Sequence, residues 1–167
     1  YWMIISSLKG QGEIFNYALL PESFQLGNYI YAFQEMPIVR MLCNSIINST
    51  VQMTLQLLSA VLVAYALMRW EFKGKTLIYS LLTLTWLIPF QAIMVPNYIQ
   101  INTWGLNGTL AAIILPNVVS AFACISMYQT FQSFPRALIE AALIDGSGEL
   151  AILTKVVLPT MKAGIAS

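Results

Sequence analysis

From Thr76 to Pro135 the chain carries no charged residue, and Met41 to Met68 is equally free of them. A soluble fold holding such stretches would need a charged surface elsewhere to stay dispersed. Charged residues here are 9% of the chain against 58% hydrophobic, where ordinary soluble domains carry roughly 25% charged residues. The missing solvent is the bilayer. The chain reads as all-α, a polytopic bundle of transmembrane helices forming a single membrane domain over 1–167.

A helix needs about 20 apolar residues to cross the hydrocarbon layer. The longer uncharged stretch is too long for one crossing and divides at Asn97 to Thr109, where Asn97, Gln100, Asn102, Asn107 and Gly108 form a polar, turn-prone connection. Full spans are therefore expected at about 42–68, 76–96 and 110–131, with the tail of an earlier span at 1–8. Ala163 to Ser167 resembles the opening of another apolar segment, from about 160. With Tyr1 first and no charged leader or cleavage site, no signal peptide is expected, and the chain reads as a piece of a longer protein.

Lysine and arginine mark the cytoplasmic side. Arg69, Lys73 and Lys75 share one short loop and Arg136, Lys155 and Lys162 follow the third span, leaving Lys9 and Arg40 as exceptions. The loops at 69–75 and 132–159 are thus expected inside, and 9–36 and 97–109 outside. Trp70, Tyr98 and Trp104 suit the headgroup layer. Net charge is +1, with no basic tract and no histidine, so nucleic acid is not expected as a partner. Cys43 and Cys124 lie far apart in apolar runs and make neither a redox pair nor a metal site; they read as small apolar fillers.

Within the first span, Asn44, Ser45, Asn48, Ser49, Gln52, Gln56 and Ser59 recur at helical spacing, gathering within about 140° of the circumference. Such a face meets other helices or a water-filled path. Asn44, Asn48, Gln52 and Gln56 are the candidates for a translocation path or a helix interface, and both alternatives stay open. Pro89, Pro96 and Pro116 predict kinks. The glycosylation patterns at Asn48 and Asn107 are set aside, the first because it lies within a span.

After the third span, Ser133 is expected to cap a helix with Pro135 in its first turn. Leu138, Ala141, Ala142 and Asp145 share a face by spacing, and the two alanines make it narrow. Gly146 supplies the stop. Ser147 can cap a second short helix with Glu149 in its first turn, ending before Pro159. The loop thus reads as helix, sharp turn and helix.

Glu140-Ala141-Ala142, then Asp145-Gly146, then Leu158-Pro159 resembles the EAA loop of ABC importer permeases. Asn28-Tyr29 with Phe33, Asn44-Ser45, Ala64-Tyr65-Ala66 with Arg69, Phe72 and Gly74, then Pro89, Pro96 and Gly105-Leu106, are similar to the carbohydrate-uptake branch, the maltose-type second permease in particular. The chain departs from that pattern at Leu153, where the family often has phenylalanine, and at Ala163, where it often has proline. The resemblance implies a type I permease fold whose cytoplasmic loop is a coupling helix, with Glu140, Ala141, Ala142, Asp145 and Gly146 contacting an ATPase subunit and Leu158 and Pro159 ending the element. It also implies as partners ABC ATPase subunits, a second permease subunit, an extracytoplasmic solute-binding protein and membrane lipid.

No GxxxxGK[ST] phosphate loop occurs, so ATP is expected on a partner and no cofactor in this chain. Sugar cargo would suit the polar stripe together with Trp86, Tyr98 and Trp104. The spans hold no acid, base or histidine, which disfavours a membrane enzyme or a self-coupled secondary transporter. An ABC permease for an amino acid, peptide or phosphate is the nearer alternative.

Overall fold

The computed structural model describes residues 1–13, 15–21 and 24–165, and among them there is helix and turn but no strand. They fall into two compact units, Tyr1–Ile47 and Asn48–Ser167. Of the apolar segment expected from about 160, Ala166 and Ser167 lie outside the described residues.

In the first unit, α1 (Trp2–Leu8) is followed by α2 (Gly27–Glu35). The Asn28 amide donates to the carbonyls of Ser7 and Lys9 at 3.1 and 3.2 Å, supplying partners that the end of α1 leaves unpaired. Lys9 is buried. Its ammonium donates to the carbonyls of Asn16 and Ala18 and lies 4.8 Å from the Trp2 ring centre, so the cation is partnered rather than stranded.

The long helix α3 runs Ile38–Arg69, 32 residues. At 1.5 Å per residue it is about 48 Å long, more than the hydrocarbon layer requires, and it starts before the expected boundary at 42. In the second unit its last turns pack Ala60, Val61, Ala64, Tyr65 and Met68 into one apolar core with Cys124, Met127, Phe131, Phe134, Ile139, Ala142, Ile152, Leu153 and Val157. Cys124 is fully buried there as an apolar filler, whereas Cys43 is exposed.

The stretch read as one crossing at 76–96 is two helices, α4 (Lys75–Leu87) and α5 (Phe90–Thr103), bent by 97°. The cause is Pro89: the residue before a proline is pushed out of helical geometry, and Ile88 is extended with ψ 121°. The polar residues Asn97, Gln100 and Asn102, expected in a connection, belong to α5, which ends only at Thr103. The region read as 110–131 is α6 (Leu110–Ile114), a 3₁₀ turn (Leu115–Asn117) holding Pro116, and α7 (Ala121–Gln132), bent by 44°. By length and composition α3 alone among the described helices is a continuous candidate span, and each bent pair makes another only if taken together. α4 packs along α7, with Tyr79 against Tyr128 and Trp86 against Phe122 at 5.4 and 5.5 Å between ring centres.

Candidate functional site

Past α7 the chain turns through Ser133 and Phe134 into α8 (Arg136–Ile144). Ser133 does not cap α8; its hydroxyl turns back to the Thr130 carbonyl of α7, and Pro135 takes the capping position in extended geometry. A proline there removes only a donor the first turn leaves unpaired anyway.

α8 ends at a turn that Gly146 makes possible. With Asp145 as the cap, the Gly146 N–H donates to Leu143 and the Ser147 N–H to Ala142, at 3.0 and 2.9 Å. This is the paired bond pattern of a Schellman motif, which needs a left-handed residue. Gly146 has φ +79°. The next helix, α9 (Glu149–Ala151), is capped by Gly148 rather than Ser147, with Glu149 in its first turn as expected.

That helix does not end before Pro159. It widens into a π segment (Ile152–Val157) and continues through α10 (Leu158–Thr160), with Leu158 and Pro159 inside the helical path; α11 (Lys162–Ile165) then returns against α7. Pro159 falls in the first turn of α10, where the register changes from π to α. Gly164 sits so close to α7 that a Cβ on it would lie 2.5 Å from Thr130 Cγ2.

The face expected to join Leu138, Ala141, Ala142 and Asp145 is divided. Ala142 turns inward with Ile139 and is buried, while Leu138, Glu140, Ala141 and Asp145 are exposed. At the tip, Ile144 is 86% exposed and Leu150, across the turn, 73%. Two large apolar side chains flank the Gly146 turn in the sequence, and helical spacing alone does not mark them as exposed. A small cavity of about 120 Å³ is lined by Met68, Arg69, Arg136, Ile139, Glu140 and Leu143.

A polar link joins this loop to the end of α3. Arg69 donates to the Glu149 carboxylate from Nε at 3.1 Å and from Nη2 at 2.8 Å, and the Tyr65 hydroxyl donates to Glu149 Oε2 at 2.6 Å. These charge-assisted bonds, the Tyr65 bond foremost, hold the Glu149 carboxyl below its usual pKa. The sequence contains each residue but not their meeting, because Glu149 lies 80 positions from Arg69 and 84 from Tyr65.

The polar stripe of α3 has different fates along its length. The Gln56 amide donates to the Asn117 carbonyl at 2.7 Å, and the Ser59 hydroxyl to Val118 at 3.0 Å. Both acceptors sit at the break after Pro116, where the helical ladder has let them go. This end of the stripe thus bonds to the backbone at a helix break. Asn48 Oδ1, higher up, is buried with no partner among the described residues, Gln52 is half-buried and Asn44 is exposed. An open cavity of about 580 Å³ lies beside Gln56, reaching Trp86, Phe90, Asn117 and Phe122. Tyr98 lines another with Asn97 and Asn107, and Trp104 is exposed.

Residues 56–167 match the family described as binding-protein-dependent transport system inner membrane component. The chain belongs to this family. It is 34% identical over 169 residues to the diacetylchitobiose uptake system permease of Streptomyces coelicolor, covering 99% of this chain and 56% of that one. It is also 34% identical to the sulfoquinovosyl glycerol transport system permease of Agrobacterium fabrum, covering 98% and 59%. To the arabinooligosaccharide transport permease of Halalkalibacterium halodurans it is 31% identical, covering 99% and 61%. The chain thus spans little more than half the length of the relatives it matches. A chain from the crystal structure of a bacterial ABC transporter involved in the import of the acidic polysaccharide alginate aligns with a TM-score of 0.85 at 24% identity, covering 99% of this chain and 59% of that one. At that identity the likeness establishes the fold, the type I permease fold anticipated from the loop.

Proposed function

We propose that the chain is part of a permease subunit of an ATP-driven ABC importer that takes up a sugar or oligosaccharide. The observation that carries the reading is the helix pair at Gly146: a rigid, exposed tip whose shape is held by its own backbone bonds and whose base is packed into the end of a long apolar helix. A passive connector has no need of either. A moving partner does, because displacement passes only through an element that keeps its shape.

In this reading Glu140, Ala141, Asp145 and Gly146 face a cleft on an ABC ATPase subunit, Ile144 and Leu150 add apolar contact, and Ala142 acts from beneath by seating the helix. ATP is bound and hydrolysed on that partner. α3 and the two bent helix pairs lie in the inner membrane with 69–75 and 132–159 on the cytoplasmic side. A second permease subunit completes the pathway, and an extracytoplasmic solute-binding protein delivers cargo. Sugar cargo is supported by the three relatives above, each named for a saccharide or a sugar-containing solute, and by the amide and aromatic residues around Gln56.

The test is reconstitution. The full-length subunit should co-purify with an ABC ATPase subunit, and proteoliposomes holding the complex should accumulate a labelled oligosaccharide when ATP is supplied. Capture of no ATPase would defeat the importer reading; accumulation of peptide or phosphate in place of sugar would defeat the cargo.

A further inference from the structure

We infer that the Glu149 carboxylate, gripped by Arg69 and Tyr65, is the joint through which the projecting helix pair moves α3. The inference rests on the importer reading and adds to it the residues that transmit the motion.

Position is the first support. Arg69 is the last residue of α3 and Glu149 the first of α9, just beyond the Gly146 turn. The link therefore ties the end of one rigid body to the start of another, where a displacement of the tip has its shortest path into the long helix. The Lys75–Glu71 pair, by contrast, joins residues four apart in one segment.

Directionality is the second. The buried core that the loop shares with α3 is apolar: Ile139, Ala142, Ile152 and Leu153 belong to one cluster with Ala64, Tyr65 and Met68. Apolar packing is non-directional and resists separation far better than sliding. Bonds from two guanidinium nitrogens and a phenol to one carboxylate have fixed directions and resist both. The distances, 2.6 to 3.1 Å for the best bond from each donor group, are those of made bonds.

The third support lies just downstream. The helix becomes a π segment at Ile152, three residues after Glu149. A π turn is wider and less regularly bonded than an α turn and is a natural place for a helix to give. Without a tie ahead of it, movement of the tip would be taken up in Ile152–Val157. With Glu149 held, it passes to α3 first. Glu149 and Arg69 are positioning residues here, acting through the bonds that join the two helix ends.

The experiment measures solute accumulated per ATP hydrolysed in proteoliposomes holding the full transporter, beside co-purification of the ATPase subunit. E149Q should keep the ATPase bound and hydrolysing while the ratio falls on the order of tenfold, the loss expected from one charged hydrogen-bonded link. R69K, which keeps the charge and loses the fork, should fall in the same direction, Y65F by less, and R69E/E149R should regain part of the loss. An unchanged ratio in E149Q and R69K overturns the inference while leaving the importer reading intact. So does loss of ATPase binding in E149Q, which would make the carboxylate part of the docking surface or of the loop's stability. Should E149Q fail to fold, Y65F decides, and an unchanged ratio there overturns the joint. A wild-type subunit that captures no ATPase defeats the importer reading, and the joint with it.

Discussion

Substitution of Gly146 separates backbone strain from partner contact, because a Cβ built there meets no atom within 4 Å. The cost to the isolated subunit of any L-residue is then the cost of holding φ +79°, about 1–2 kcal/mol. Asparagine, which visits that region most readily, should lose only part of this. Alanine and leucine are expected to lose nearly the same amount, since the Cβ they share meets no atom within 4 Å and the position is exposed. In thermal unfolding of the purified full-length subunit the expected order is Gly, then Asn, then Ala and Leu together. The second assay is co-purification of the ATPase subunit at matched folded concentration. There Leu should fall well below Ala, because only a partner seated over the turn can sense the added atoms. Leucine and alanine retaining equal amounts of ATPase would refute contact at the tip. Asparagine destabilising as much as alanine would refute the strain argument itself.

Gln56→Leu should destabilise by about 1–3 kcal/mol, because the Asn117 carbonyl at the Pro116 break loses its donor; chemical unfolding in detergent measures it, and Gln56→Glu, which offers an acceptor in place of a donor, should be no better. Gly164→Val should raise the susceptibility of the α7–α11 contact to proteolysis and lower the melting temperature, since even a Cβ would meet Thr130 at 2.5 Å; the double change with Thr130→Ala should recover part of the loss. The pH dependence follows from Glu149, whose folded pKa lies below its ordinary value through bonds from Tyr65 and Arg69. A depressed carboxylate stabilises fully above its unfolded pKa, roughly 4.3, and the contribution is lost as pH falls through the lower folded value. The stability difference between wild type and E149Q should therefore be constant from about pH 8 to pH 5 and shrink below that; a difference that grew on acidification would reverse the sign of the argument.

Much of this protein was legible without coordinates. The uncharged runs require an apolar solvent whatever their tertiary arrangement, and the Asp145-Gly146 stop follows from local backbone preference, so a helix, sharp turn and second helix was readable from spacing, though not where the second helix ends. The EAA-type pattern pointed to the family that the match over 56–167 then established. Local chemistry carries such features, because each depends on residues a few positions apart.

What the tertiary structure decided is where long-range neighbours intervene. Hydropathy averages over a window, so it could not see that Pro89 breaks the 76–96 run into helices at 97° rather than bending one. Spacing placed Ala141 and Ala142 on one face, but the core beneath α8 took Ala142 and left Ala141 to water. The stripe on α3 divided because Gln56 and Ser59 lie opposite carbonyls released at a distant proline. Arg69 and Glu149 met because packing brought the end of α3 onto the start of α9. Periodicity along one helix can say which face is polar; only the fold supplies the group that face will meet.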